Sequence, residues 1–123
     1  MKQKETTLCG KTVNLAYCYA TEIAFRELTN SDINDFVSEA VDAVSANRMP
    51  DIKKTICTLL ASLMAYYNNK LPVTDEELMK EATPTEVGTA LGIVLSLRMD
   101  FYKLPSGEPE EKTEKTRTRK KNS

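Results

Sequence analysis

The stretch that decides the fold is IKKTICTLLASLMAYY, residues 52–67. Its apolar residues recur at intervals of three and four, as they do along one face of a helix: Ile52, Ile56, Leu59, Leu60, Leu63, Met64 and Tyr67. Beyond its first turn the stretch carries no charge, so we expect other helices to surround it. The sequence therefore predicts a central buried helix of about 24 Å, at a rise of about 1.5 Å per residue.

Two helices are predicted before this stretch. Residues 20–29 form the first, with Ile23, Ala24 and Leu28 facing inward. Ser31 suits the N-cap of the second, which runs to about residue 46. The second has the clearest amphipathic pattern in the chain, with inward positions Ile33, Phe36, Val37, Ala40, Val41 and Val44.

Two helices are also predicted after it. Thr74 and Glu77 match a capping box, in which each side chain accepts a hydrogen bond from the other residue's backbone N–H. Thr83 and Glu86 repeat the pattern, with Pro84 at the first helical position. The last helix, to about residue 104, carries two apolar stripes, which predicts contacts on two of its sides.

The start of the chain reads as a β-hairpin. Val13, Leu15 and Tyr17 alternate with polar or small residues, as in a half-buried strand. Residues 6–9 and 12–17 are predicted to pair across a two-residue type II′ turn, with Gly10 as its first central residue. The predicted fold is therefore mainly α (α+β), with four to five helices and an N-terminal β-hairpin.

Composition favours one domain with a tail. The chain has 123 residues, a hydrophobic fraction of 41% and a charged fraction of 28%, which are ordinary for a globular protein. Residues 1–104 are predicted to form a single helical domain. Residues 105–123 hold six basic and four acidic side chains without one large apolar residue, so a disordered charged tail is expected there.

Few residues are suited to catalysis or cofactor binding. The chain has no His, and it contains no nucleotide-binding, zinc or nucleophile motif. Its three cysteines show no CxxC spacing and are predicted to be reduced, buried thiols. We expect no enzymatic activity, no cofactor, no metal and no membrane segment.

Two patterns are candidates for partner binding. Gly88, Gly92 and Ser96 follow one another at i+4 on the last helix, which predicts either a close crossing within the domain or a shallow groove for a partner helix. Asp35, Glu39 and Asp42 form an acidic stripe on the second helix. That stripe is either a solvated outer face or a surface for a basic partner.

The order of elements resembles the tail assembly chaperones of long-tailed bacteriophages, including prophage-encoded ones. The resemblance rests on a short hairpin with Gly10 and Lys11 at its turn, the helix ATEIAFRELT, the apolar helix LLASLMAY, the TDEE box, a closing helix and a charged tail. It covers about residues 5–104.

This resemblance implies a non-enzymatic scaffold in the cytoplasm of the bacterial host. Such a protein binds the tape measure protein, keeps it soluble and helps to recruit tail tube subunits. Two alternatives remain open: a small helical nucleic-acid-binding regulator that uses the basic run at residues 115–121, and a generic oligomerising adaptor. The basic run lacks interleaved aromatic residues, which disfavours nucleic acid. Assembly into a homo-oligomer is left open.

Overall fold

A computed structural model describes residues 2–103. It contains a two-stranded antiparallel sheet, β1 (Lys2–Leu8) and β2 (Lys11–Tyr17), followed by five helices. The helices are α1 (Tyr19–Thr29), α2 (Ile33–Ser45), α3 (Ile52–Tyr67), α4 (Asp75–Glu81) and α5 (Pro84–Tyr102). The predicted mainly α fold with an N-terminal hairpin is confirmed. Both the tail predicted over residues 105–123 and the basic run within it lie outside the described residues.

The centre of the core is α3, as predicted. Leu59, Ala61, Ser62 and Leu63 have no exposed surface, and α1, α5 and β2 all pack against this helix. Asp51 begins the helix, because its side chain accepts a hydrogen bond from the backbone N–H of Lys54 at 2.9 Å. The prediction was wrong for Ile52, which is 57% exposed. It lies in the first turn, at the edge of a groove that no other described element fills.

The hairpin turn differs from the prediction by one residue. Leu8 pairs with Lys11, so the two central residues are Cys9 and Gly10. Both have positive φ, 54° and 74°, which is the geometry of a type I′ turn. A type I′ turn matches the twist of the strands, and the left-handed conformation of Cys9 is held by a hydrogen bond from its N–H to Glu86.

Side chains of α3 fix the position of β2. The hydroxyl of Ser62 accepts a hydrogen bond from the N–H of Ala16 and donates one to its carbonyl, both at 2.8 Å. The N–H of Asn14 donates to the hydroxyl of Tyr67 at 3.0 Å. The outer edge of β2 is thereby paired with a helix instead of a third strand, so the sheet ends there.

The predicted inward faces of α1 and α2 are confirmed only in part. Ala24, Ile33, Phe36 and Ala40 are buried as predicted, whereas Ile23, Leu28, Val41 and Val44 are between 40% and 59% exposed. In α1, Thr21 and Phe25 are also buried. The hydroxyl of Thr21 donates to the carbonyl of Ala16 and sets the rotation of that helix.

Helix α2 begins one residue later than predicted. Asp32, not Ser31, is its N-cap, and its carboxylate accepts a hydrogen bond from the N–H of Asn34. Its buried positions are Ile33, Phe36, Ala40 and Ala43. Val37 is partly buried against the core, whereas Val41 and Val44 on the same helix are exposed.

Both predicted capping boxes are present. In each box the threonine hydroxyl accepts from the glutamate N–H, and the glutamate carboxylate accepts from the threonine N–H. Pro84 occupies the first turn of α5, as predicted. Helix α5 packs against α3 and both strands, which confirms contacts on two sides.

Candidate partner-binding surfaces

The predicted glycine positions lie on the outside of α5. Gly88, Gly92 and Ser96 are all exposed, and a Cβ added to either glycine would meet no atom within 4 Å. Within residues 2–103 no other helix crosses α5 closely at these glycines, so the prediction of a close crossing is wrong. The glycines also face different surfaces: Gly92 and Ser96 line a groove beside β1, whereas Gly88 faces the end of α2.

The predicted acidic stripe lies on the outer side of α2. Asp35, Glu39 and Asp42 are exposed, and none forms a salt bridge with another residue in the range 2–103. Glu39 accepts a hydrogen bond from the N–H of Asp51 at 3.3 Å and so helps to hold the loop before α3. A role of this stripe in binding stays a prediction.

The structure reveals an apolar groove that the sequence did not indicate. We call it the methionine groove, and its walls are Met49, Ile52, Ile56, Leu78, Met79 and Val87. Its volume is about 370 Å³. The loop before α3 and the first turn of α3 form one wall, and α4 with the start of α5 forms the other. The two capping boxes fix the directions of α4 and α5, and hence the width of the groove.

This groove continues toward α2 through Met49. A shallower depression of about 290 Å³ shares Met49 and is lined by Val44, Pro50, Gly88 and Leu91. Of the residues predicted to bind a partner, Gly88 is thus the one that lies beside the methionine groove. Its missing side chain leaves this end open, since nothing stands within 4 Å of the place where a Cβ would be.

The methionine groove and the depression beside it expose large apolar side chains. In the groove Met79 is 63% exposed, Ile52 57% and Met49 44%, and Val44 of the depression is 55% exposed. Methionine is unbranched and flexible, so it can adapt to partner side chains of different shapes. A contiguous apolar patch of this kind is typical of an interaction site.

Two capping glutamates have structural roles. Glu86 accepts hydrogen bonds from the N–H groups of Cys9 and Gly10 at 3.1 and 3.2 Å, while Glu77 forms an ion pair with Lys11 at 3.3 Å. The pKa of Glu86 is lowered, first by the backbone N–H of Thr83 and then by that of Gly10. The pKa of Glu77 is lowered by the N–H of Thr74 and by Lys11. These carboxylates connect the hairpin turn to the helix starts.

The cysteines are unpaired and partly buried. Burial is the main cause that raises the pKa of the Cys9 and Cys57 thiols, and the nearby carboxylates of Glu86 and Asp75 respectively add to it. A raised pKa disfavours the nucleophilic thiolate at neutral pH. Among residues 2–103, no group of His, Cys, Asp and Glu is arranged to hold a metal ion. Within the same range, no helix has the length and apolarity needed to cross a membrane.

No protein-family model, curated protein or solved structure matches this chain.

Proposed function

We propose that this chain is a non-enzymatic tail assembly chaperone that binds the tape measure protein in the cytoplasm of the bacterial host and helps to recruit tail tube subunits. The phage assignment rests on the resemblance of the sequence to that family. The observation that supports a holding role is the methionine groove, with four large apolar side chains at or beside it between 44% and 63% exposed.

The groove suits a helix with an apolar stripe. A helix docks into such a groove through apolar side chains spaced at three and four residues, and the flexible methionines of the groove adapt to their shapes. A tape measure protein is a long helical chain whose apolar stripes are unprotected before the tail tube forms. The groove would cover a short part of one stripe at a time.

Many weak contacts of this kind would act together. The groove has a volume of only about 370 Å³, so one copy covers a short segment of a helix. Copies joined in a homo-oligomer would gain combined affinity along one tape measure protein, because each further contact becomes intramolecular, and each single contact can still break as tube subunits arrive. Weak binding at each site is therefore part of the proposal.

The test is co-expression of the chain with the tape measure protein of the same phage, and the readout is the soluble fraction of the tape measure protein. Met79→Glu places a charge in the methionine groove and is expected to lower that fraction several-fold. Met99→Glu is the matched control, because Met99 is also exposed, at 73%, and lies on the far part of α5. Circular dichroism of both variants checks that the fold is kept.

One result would overturn the proposed function, and a second would overturn only the site assigned to it. Equal solubility with and without the chain would remove the holding function. Equal loss in the Met79 and Met99 variants, with both folded, would leave that function but remove the methionine groove as its site.

A further inference from the structure

A second groove, between α1 and the start of α2, combines apolar and acidic side chains. We call it the acidic groove. Its volume is about 520 Å³. Tyr19, Ile23 and Ile33 supply its apolar surface, and Glu22, Glu27 and Asp32 supply carboxylates. It lies on other elements than the methionine groove and shares no residue with it.

The apolar part of the acidic groove is open to solvent. Tyr19 is 65% exposed and Ile23 is 59% exposed. Tyr19, Ile23 and Glu27 follow one another at i+4, so they form one row along α1, with an aromatic ring, an aliphatic side chain and a carboxylate. The ring of Tyr19 is held edge-on to Phe101 at 5.0 Å, which fixes its place in the row.

The charges of this groove are mostly negative. Arg26 is engaged with Asp32 at 3.4 Å, and Glu27 forms no ion pair with any residue from 2 to 103. Glu22 accepts hydrogen bonds from the hydroxyls of Tyr17 and Tyr102, which hold its carboxylate in place without neutralising it.

One further cation approaches from α5. The guanidinium of Arg98 donates to the side-chain carbonyl of Asn34 and lies 5.1 Å from the ring of Tyr102. At the other end of the groove, beside Ile23, the carboxylate of Glu27 forms no ion pair within residues 2–103, and the nearby Arg26 pairs with Asp32.

We propose that the acidic groove binds a helical segment of a partner protein in which an apolar side chain is flanked by lysine or arginine. The apolar side chain would cover Tyr19 and Ile23, and the cations would pair with Glu27 and Glu22. Opposite charges around an apolar centre fix the orientation of such a segment and select against acidic ones. This proposal does not depend on the phage assignment.

The chain's own basic residues are a poorer fit. Residues 112–121 hold six basic side chains but none of the large apolar ones, so they would leave Tyr19 and Ile23 uncovered. A synthetic peptide of residues 108–123 is therefore a useful comparison in the test.

The experiment uses the full chain and three peptides. The first is an amphipathic peptide of about 18 residues, five helical turns, with leucines on one face and lysines flanking them. The second replaces every lysine with glutamate, and the third is the peptide of residues 108–123. Backbone amide NMR shifts locate the binding, and fluorescence polarisation measures the affinity.

We expect the leucine–lysine peptide to shift the amide signals of Tyr19, Ile23 and Glu27, and to bind at least tenfold more tightly than the other two. Glu27→Lys is expected to weaken its binding by roughly threefold, as for a partly exposed ion pair. Ile23→Ser should weaken it by about tenfold. The control Glu81→Lys changes an exposed carboxylate on α4 and should leave the affinity unchanged.

Three results would overturn the proposal. In the first, the glutamate peptide binds as tightly as the leucine–lysine peptide. In the second, the amide shifts fall only on the methionine groove or on Asp35, Glu39 and Asp42. In the third, the peptide of residues 108–123 binds as tightly as the leucine–lysine peptide. The last result would make the chain's own tail the occupant.

Discussion

Two positions of the apolar stripe on α3, one in its first turn and one further along, differ in what covers them. Leu63 and Ile52 are both aliphatic residues on this helix, and both belong to the same sequence pattern. Leu63 has no exposed surface, whereas Ile52 is 57% exposed. The hairpin and α1 cover the middle of the helix, but α4 and α5 leave its first turn at the side of the methionine groove. The same spacing of apolar residues thus places one residue in the core and leaves another exposed at the surface.

The largest expected effect separates these two positions. Leu63→Ala should lower the free energy of unfolding by about 2–5 kcal/mol, because it leaves a cavity in the closed part of the core. Ile52→Ala, at an exposed position, should lower it by less than about 1 kcal/mol. Chemical denaturation of both variants measures the difference. Similar losses at the two sites would show that the first turn belongs to the core.

A smaller effect is expected where α3 holds the hairpin. Ser62→Ala removes both hydrogen bonds to Ala16 and leaves the buried N–H of Ala16 without its partner. The free energy of unfolding should therefore fall by about 1–3 kcal/mol. Ser38→Ala, at an exposed position of α2, is the matched control and should change stability by less than about 0.5 kcal/mol. A Ser62 variant as stable as this control would mean that the hydroxyl does not hold β2 in place.

The glycines of α5 should show an effect of the opposite sign. Gly92→Ala is expected to stabilise the protein by about 0.5–1 kcal/mol, because alanine is the better helix former and its Cβ has free space. Gly92→Leu should also keep the fold, and the affinity of this variant for a partner tests the predicted groove at that position. Gly10→Ala should destabilise instead, since Gly10 has a φ of 74°. A destabilised Gly92→Ala variant would indicate that something covers this face.

The smallest effect concerns pH. The pKa of Glu86 is lowered from 4.5 in the folded state, so its carboxylate stabilises the fold above that pH, and the contribution is lost as pH falls toward the folded pKa. Glu86→Gln should therefore lower the melting temperature at pH 7 and make it less dependent on pH below about 4.5. Melting curves from pH 7 to pH 3 measure this. A variant with an unchanged acid dependence would contradict the role of Glu86 at the hairpin turn.

Local sequence signals predicted the elements well. The helical spacing of α3, both capping boxes and the place of Pro84 in α5 follow from interactions within a few residues. The hairpin was also predicted, but its turn was shifted by one residue. Both residues of the turn donate hydrogen bonds to Glu86, which is 76 residues from Gly10, and no local pattern indicates that contact.

The side chains left exposed could not be predicted in the same way. Val41, Val44 and Ile52 have the spacing of buried residues, and only the arrangement of α2, α4 and α5 leaves them open. The methionine groove joins residues from the α2–α3 loop to α5, so no single stretch of sequence contains its pattern. A local signal was available in Met49 and Met79, which lie in or next to short loops between helices.

Isotope-labelled methionine methyl groups, observed by NMR while the tape measure protein is added, test the methionine groove most directly. Residues 2–103 contain four methionines: Met49, Met64, Met79 and Met99. We expect the signals of Met49 and Met79 to shift or broaden and the signal of Met99 to keep its position. A change at Met99 with Met49 and Met79 unaffected would contradict this expectation.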